Sequence, residues 1–260
     1  MSMPQRSQTP PEPSTPGGRT RQEQLLMDVV STVIMAGFLW WRLGPMVAFA
    51  VMVGIFVHEY GHVLAMNRLG CGPARFHIVP FVGGAAYPAR PASTEFQGVL
   101  ISLAGPVFGL LAAIPFIIAA AMTGQLIWVI GGLAVAGLNL INLAPAPPLD
   151  GSKALGPALA RIHPMLEKGA LVLVGAVGVL WAIATHNWIF GLFIAIGVAG
   201  AFRRDRLRPW ALKLTKAEWG YSIGLYLGAL VLCLLTAWAS VAVVGISPSP
   251  LGLLALLGLA

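Results

Sequence analysis

The chain has 260 residues and a net charge of +7; 57% of its residues are hydrophobic, only 10% are charged, and its mean hydropathy is +0.82. Soluble domains carry about 25% charged residues, so a water-soluble globule of this length could not cover so much apolar surface. The composition excludes a soluble enzyme, a secreted disulfide scaffold and a disordered regulator, and it indicates a polytopic membrane protein. The cysteines, Cys71 and Cys233, lie far apart and predict neither a disulfide framework nor a thiolate metal site.

Residues 1–22 differ in composition from the rest of the chain. They are rich in Pro, Ser, Thr, Gln and Gly and contain no apolar stretch, so they cannot bury enough surface to offset the entropy of ordering. We predict a disordered cytoplasmic tail here. A membrane domain is expected over 23–245, followed by a short apolar C-terminal tail over 246–260 that is too short to span a bilayer.

Seven apolar runs follow the N-terminal tail, and each is a candidate membrane-spanning helix. The fifth and sixth runs are short and nearly continuous, so they form either two tilted helices or one long kinked helix. The predicted fold class is therefore an all-α polytopic membrane protein with six or seven transmembrane helices. The runs cover residues 25–41, 46–66, 99–122, 126–144, 169–184, 187–201 and 220–245.

The basic residues predict the orientation. If the N-terminus is cytoplasmic and the chain alternates through seven spans, every Lys and Arg except Arg42 lies on the cytoplasmic side. This bias explains the pI near 10 without a nucleic-acid partner. We expect a multi-pass protein of the cell membrane, in a prokaryotic inner membrane. The basic segment 203–216 is interpreted as a cytoplasmic loop that can also contact anionic membrane lipids.

Two connecting segments carry structural signals of their own. Residues 74–90 place alternating and β-branched apolar residues around Gly83-Gly84, which predicts a β-hairpin between two spans. Because lipid-exposed strand edges are not tolerated in hydrocarbon, this hairpin must lie at the interface or re-enter the membrane under protein cover. Residues 142–151 read NLAPAPPLDG, and their prolines stop a helix. A helix broken at membrane depth must line a cavity or be buried in protein.

The most informative motif is HEYGH, which begins at His58 near the inner end of the second span. Residues i and i+4 share a face of a helix, so His58 and His62 can hold one metal ion together. Glu59 can then reach a water molecule beside the ion. An ionisable residue inside a span costs about 3 kcal/mol or more without partners, which favours a functional role. The alternative is a pair of core histidines with a hydrogen-bonded Glu59.

A catalytic zinc ion usually has three protein ligands, so the third is sought by elimination. Asp150 remains, at the end of the Pro-broken segment and near the membrane face of His62. Its alternative role is a turn residue before Gly151, as is common for Asp-Gly. The other candidates lie in loops, in the tail, at span ends, among basic residues or without polar neighbours: His77, His163, His186, Cys71, Cys233, Glu12, Glu23, Asp28, Glu95, Glu167, Asp205 and Glu218.

The charges of this cluster balance around one Zn²⁺. The ion offsets the carboxylates of Asp150 and Glu59, and the two imidazoles are neutral, which is the least costly arrangement at low dielectric. Zinc would polarise a carbonyl and lower the pKa of a water molecule toward about 7. Glu59 would take up the proton and later pass it to a leaving amine. The predicted chemistry is hydrolysis of an amide bond.

These residues resemble the site-2 protease family of intramembrane zinc metalloproteases. The resemblance rests on HEYGH at 58–62, PFVGGAAY at 80–87, EFQGVLISLAGP at 95–106 and NLAPAPPLDG at 142–151. The chain looks most like the compact, sporulation-type branch, since it has no inserted PDZ-like domain and no soluble nucleotide-binding domain. After residue 169 no family motif can be matched.

The family resemblance implies the roles of individual residues. It implies that one Zn²⁺ is held by His58, His62 and Asp150, with Glu59 as the base, in a catalytic core at about 46–151. The substrate would be a single-span membrane protein cut in or near its transmembrane segment. Asn142 would contact the substrate backbone or the developing oxyanion, although a hydrogen bond to local backbone is an alternative. Gly83 and Gly84 would let an edge strand approach an unwound substrate, although a simple turn is an alternative.

Two rival functions remain open at this point. A membrane metal transporter could use the His-x-x-x-His pair, but a transport path needs successive polar sites across the bilayer. Apart from the cluster and Asp28, no acid or histidine is expected inside a span. A different membrane metalloprotease could take a later Glu as third ligand, but no Glu after residue 95 lies in an apolar span.

Overall fold

The computed structural model describes residues 21–81, 83–203 and 212–245. The predicted C-terminal tail over 246–260 lies outside the described residues, and so does the predicted N-terminal tail apart from residues 21 and 22, which already belong to the first helix. Only the two ends of the basic segment 203–216 are described.

The described residues form nine α-helices and one β-hairpin. Five continuous helical stretches within them are long and apolar enough to cross a membrane, and two further apolar helices, α5 and α8, are shorter. The predicted all-α polytopic membrane fold with a hairpin is therefore confirmed. The helices are α1 (Arg21–Leu43), α2 (Pro45–Arg68), α3 (Glu95–Gly109), α4 (Ile114–Thr123), α5 (Leu126–Asn142), α6 (Asp150–Ile162), α7 (Pro164–Ala184), α8 (Trp188–Arg203) and α9 (Lys216–Ala242).

The third predicted span is a helix with a tightened middle turn. It begins at Glu95, four residues before the predicted apolar run, because the Thr94 hydroxyl accepts a hydrogen bond from the Gln97 N–H at 3.0 Å. A 3₁₀ turn over Leu110–Ala113 follows Pro106 and joins α3 to α4. Proline removes a backbone donor and favours such local tightening.

The fifth and sixth runs are two helices rather than one kinked helix. α7 ends at Ala184, and His186 then adopts a left-handed conformation (φ 56°) that turns the chain into α8. The two helices pack mainly against each other, and α7 also packs against α6. The turn lies beside the end of α1, where Arg42 Nη2 donates to Asn187 Oδ1 at 2.7 Å. These two connections are therefore at the same end of the bundle.

The core of the bundle forms around α2, which packs against α1, α3 and α5. α9 covers the other side of α3 and α5. Its Tyr226 hydroxyl donates to the Leu143 carbonyl at 2.6 Å and fixes the point where α5 ends. Leu143 and Val99 are fully buried in this cluster. In lipid, close packing and internal hydrogen bonds hold helices together, since apolar burial alone gives little preference for a helix over lipid.

The hairpin is present, but its turn is not where the sequence predicted it. β1 (Arg75–Val79) pairs antiparallel with β2 (Gly83–Tyr87), so Gly83 and Gly84 belong to a strand and the simple-turn alternative is wrong. The turn instead includes Phe81, which has a φ of 67°. Its ring packs edge-on against Phe38 of α1 at 5.0 Å, which helps to hold this otherwise unfavourable conformation.

The Pro-broken segment leads into a helix that sequence reasoning did not anticipate. α5 ends at Asn142, and α6 begins at Asp150 with Leu149 as its N-cap, so Asp150 is the first residue of a helix and not a turn residue before Gly151. α6 packs against α3, α7 and α9. An internal Pro157 and its mixed composition made this stretch look like a loop.

Candidate metal centre

Two ring nitrogens from one face of α2 meet in the interior of the bundle. His58 and His62 are 4% and 5% exposed, and their Nε2 atoms are 3.1 Å apart. The i, i+4 spacing places the rings one above the other on the helix. Two lone pairs that approach so closely repel each other unless a proton or a cation lies between them.

Asp150 is brought to these rings by the broken segment. Its Oδ2 atom lies 3.0 Å from both Nε2 atoms, and the residue is buried. The carboxylate is therefore in position to act as a third ligand beside the two ring nitrogens.

The three donor atoms fit a metal ion. Their separations are 3.0, 3.0 and 3.1 Å, and ligand atoms at tetrahedral zinc with bonds of about 2.0–2.1 Å are about 3.3 Å apart. Among the described residues, these three form a group in which one donor atom from each residue could hold an ion. Two imidazoles and one carboxylate are a common donor set for a catalytic divalent metal.

The outer ring nitrogens are positioned by oxygen acceptors. His62 Nδ1 lies 2.7 Å from the Ile101 carbonyl, and His58 Nδ1 lies 2.9 Å from Asn139 Oδ1. Each oxygen can only accept, so each Nδ1 carries the proton and each Nε2 presents a lone pair to the ion. Such contacts orient a metal-binding ring and raise its basicity.

Asn139 was missed by sequence reasoning. It is fully buried, and its Nδ2 donates to the Val135 carbonyl at 2.8 Å, which fixes the amide so that Oδ1 faces His58. The signal that could have found it is a second amide in an otherwise apolar helix, three residues before Asn142. Gly109 of α3 leaves the space for it, since a Cβ there would collide with the Asn139 side chain.

Gly105 gives the metal-binding rings their space. A Cβ at this position would collide with the Nε2 atom of His62 and lie 2.8 Å from that of His58. The backbone of α3 therefore approaches the donor atoms as closely as a helix can. The Gly105–Gly109 spacing is visible in the sequence as GxxxG, a pattern that allows close packing of membrane helices.

Glu59 lies beside the donor atoms but does not join them. It is 5% exposed, and its Oε2 atom has no hydrogen-bond partner among the described residues. An unpaired buried carboxylate oxygen is costly, so it marks a position where a ligand or water is expected. Gly84 of β2 lies against this carboxyl group, where a Cβ would collide with it.

These groups open into one cavity of about 730 Å³. Gly84 and Asn142 line it together with the four predicted metal-site residues, whereas Gly83 is not among the lining residues. Asn142 is half-buried, and its Nδ2 donates to the Leu138 carbonyl at 3.0 Å, which is the local backbone bond weighed as an alternative to substrate contact. Its Oδ1 makes no bond among the described residues and is free to accept one.

The other candidate ligands do not belong to the donor cluster. His77 pairs with Asp28 at 2.7 Å, and the His163 ring accepts the Met165 N–H at the start of α7. Cys71 and Cys233 are buried free thiols outside the metal-competent cluster. Glu95 is bound by Lys213 Nζ at 2.8 Å.

The apolar helix bundle and the buried donor cluster fit a membrane metallopeptidase, and a comparison with known families supports this class. Residues 46–126 match the model of peptidase family M50. Over that segment the chain is similar to this family, which agrees with the resemblance inferred from the motifs, and the match implies a metal ion. The matched segment contains His58, Glu59 and His62, while Asp150 lies beyond it and is placed at the site by the geometry above.

One solved structure is similar in outline. It is the site-2 protease from Methanocaldococcus jannaschii, with 19% sequence identity and a TM-score of 0.46 over 70% of this chain and 89% of that chain. No curated protein sequence matches the chain.

Proposed function

We propose that this protein is an intramembrane zinc metalloendopeptidase that hydrolyses peptide bonds in or near the transmembrane segments of single-span membrane proteins. The observation that carries the proposal is the convergence of His58, His62 and Asp150 beside the unpaired carboxylate oxygen of Glu59, all inside an apolar helix bundle. A satisfied pair of core histidines would not leave a buried Glu without a partner.

Zinc is the ion that the donor set favours. Two imidazole nitrogens and one carboxylate leave a fourth position open, which is typical of catalytic zinc sites. When bound, zinc supplies Lewis acidity that polarises a carbonyl and makes water a stronger acid at neutral pH. The chain holds the donor set in place through the Asn139 and Ile101 oxygens behind the rings.

Glu59 is the group that accepts and returns the proton of the attacking water. Its free Oε2 atom accepts the proton of the attacking water and then returns it to the leaving amine, which is general acid–base catalysis by one carboxylate. Burial beside Gly84 keeps this carboxyl group in one position and excludes bulk water from it. The proton therefore travels a short path between fixed partners.

The substrate binds in extended form along β2. A helix hides its peptide groups in internal hydrogen bonds, so a protease must first unwind the segment that it cuts. β2 pairs only with β1 in the described sheet, and Gly84–Tyr87 of β2 line the cavity beside Glu59. Its free edge offers backbone donors and acceptors to an unwound substrate. Asn142 Oδ1 faces the same cavity, where it can accept an N–H from the substrate.

The orientation follows from the distribution of charge. We infer a cytoplasmic N-terminus, a site toward the cytoplasmic side and a location in a prokaryotic inner membrane, because all Lys and Arg except Arg42 then lie inside. The bond between Arg42 and Asn187 supports the alternation of the spans, since it brings the two predicted external connections to one end of the bundle.

The test compares wild type with Glu59→Gln in proteoliposomes that contain a single-span reporter. We expect both proteins to bind one zinc ion per chain and only the wild type to cut the reporter. Cleavage by a zinc-loaded Glu59→Gln protein would contradict the mechanism. Zinc uptake into the vesicles that does not depend on Glu59 would favour the transporter alternative instead.

A further inference from the structure

The cavity beside the metal cluster carries a positive charge that no described residue neutralises. Lys153 of α6 is the one Lys or Arg among its described lining residues. Its side chain is exposed, and it makes no hydrogen bond or ion pair with any residue that the structure describes. A lysine that serves only as a surface charge has no need to line the cavity that holds the reacting groups.

Lys153 lies on the same helix face as a metal ligand. It follows Asp150 by three residues in α6, and residues i and i+3 are neighbours on a helix surface. It is also close enough to Glu59 to interact with it electrostatically. Its ammonium group is therefore within electrostatic range of the reacting centre.

Apart from the carboxylates of Glu59 and Asp150, the remaining acidic residue of the cavity wall is Glu95, and it makes no contact with Lys153 that neutralises the lysine. Glu95 is 3% exposed, and its two oxygens accept from Lys213 Nζ at 2.8 Å and from the Leu214 N–H at 3.2 Å. Glu95 therefore ties the segment before α9 to the start of α3, and its charge is balanced by that contact. Lys153 keeps its own charge for a ligand.

The charge balance indicates what that ligand is. A divalent ion offsets Asp150 and Glu59, so Lys153 adds one uncompensated positive charge to a largely apolar cavity. Such a charge attracts an anion that enters the cavity, because no described residue pairs with it. A carboxylate would form a charge-assisted hydrogen bond with the ammonium group.

We propose that Lys153 is a specificity-determining residue, which selects substrate segments that carry an Asp or Glu side chain beside the scissile bond. The inference rests on the proposed protease function. Side chains of an extended segment alternate between two faces, so a segment paired with β2 points every second side chain to the same wall of the cavity. One such position faces α6, and a carboxylate there meets Lys153 while the backbone lies beside Glu59.

The experiment uses the full-length, zinc-loaded protein in phosphatidylcholine proteoliposomes. The probes are internally quenched synthetic single-span peptides, identical except for Asp, Asn or Lys at one position that is moved along the segment next to the cut. We expect wild type to prefer Asp over Asn at one position by about tenfold in kcat/KM, which corresponds to about 1.4 kcal/mol. Lys153→Met should abolish the preference, and Lys153→Glu should reverse it toward the Lys peptide.

Two variants serve as matched controls. Lys168→Met removes one positive charge outside the cavity and should keep the Asp preference, and Lys153→Arg should keep it because the charge remains. Zinc content and thermal stability are measured for each variant, so that a misfolded protein is recognised. If Lys153→Glu misfolds, the comparison of Lys153→Met with Lys153→Arg still decides the outcome.

The possible outcomes separate this inference from the proposed function. If wild type cuts the peptides but Lys153→Met keeps the same Asp preference, the inference is wrong and the protease function stands. If wild type cuts none of the peptides, or cuts them no faster than Glu59→Gln does, the inference and the proposed function are both wrong. If the Lys153 variants change cleavage of all peptides equally, and only when phosphatidylglycerol is added, then Lys153 binds lipid headgroups and not substrate.

Discussion

The inner helices α2, α3, α4 and α5 are packed more closely against the rest of the protein than the outer pair, α7 and α8. About half of the α2 span and 56% of the span formed by α3 and α4 are buried inside the protein, compared with 17% of the α7 span. The residues proposed as metal ligands and base, and the oxygens behind the rings, belong to the inner helices or to the first turn of α6. The outer pair contributes only apolar side chains to the wall of the cavity. Close packing is concentrated where donor atoms must be held within tenths of an ångström.

The largest expected effect comes from removing a donor from the inner helices. His62→Ala leaves two ligands, so we expect zinc content and cleavage to fall to the level of a metal-free control. His163→Ala, which removes a histidine at the start of the outer helix α7, should leave zinc content unchanged. Metal analysis of the purified proteins checks both, and zinc retained at the wild-type level in His62→Ala would exclude this ligand set.

A single methyl group at the α2–α3 contact should have the next largest effect. Gly105→Ala places a Cβ against the Nε2 atoms of both histidines, and these atoms cannot move away without giving up the positions in which they would hold a metal ion. We expect most of the bound zinc to be lost. The measurement is zinc affinity in detergent, with unfolding temperature as a second readout.

Gly98→Ala is the matched control for this change, because it lies on the same helix and its Cβ would meet nothing within 4 Å. Replacing a helical glycine by alanine stabilises a helix by about 0.5–1 kcal/mol. This variant should therefore keep its zinc and unfold at a slightly higher temperature. Equal zinc affinity in the two variants would contradict the close approach of α3 to the rings.

Asn139 offers a subtler change, because it contacts a ligand and not the metal. Asn139→Ala removes the acceptor behind His58 Nδ1, and loss of such a partner typically lowers metal affinity about 10–100-fold. Asn139→Asp keeps an acceptor oxygen and should lose less. A competition titration with a zinc chelator measures the difference, and identical affinities for wild type and Asn139→Ala would show that Asn139 does not position the ring.

These residues also show which parts of the site a sequence can predict. HExxH was recognisable because its chemistry depends on the local i, i+4 geometry of one helix, and Asp150 followed by elimination. Asn139 was not recognisable, since its role depends on which helix packs beside it, and that is a property of the folded bundle.

The fold was predictable to a similar extent. Within the described residues, apolar runs predicted each helix that is long and apolar enough to cross a membrane, because length and hydropathy are local properties. α6 was missed since its internal proline and mixed composition resemble a loop, and only packing against α3 and α9 shows that it is a helix. The Gly83-Gly84 pair looked like a turn, whereas Gly84 serves the close approach of β2 to Glu59.

The smallest expected effect is that of a substitution on the lipid-facing side of α7. It is compared with the effect of a substitution at a buried position of the same helix. Leu171 and Leu173 both belong to α7, but Leu171 is 5% exposed and lines the cavity wall, while Leu173 is 66% exposed. Leu171→Ala removes buried contacts and should lower the free energy of unfolding by about 2 kcal/mol or more. Leu173→Ala faces lipid in the folded and in the separated helix, so it should change that energy by less than about 0.5 kcal/mol. Unfolding in mixed micelles measures both free energies. Equal losses of stability in the two variants would mean that the outer face of α7 is covered by protein, because only a packed leucine leaves a cavity when it is shortened.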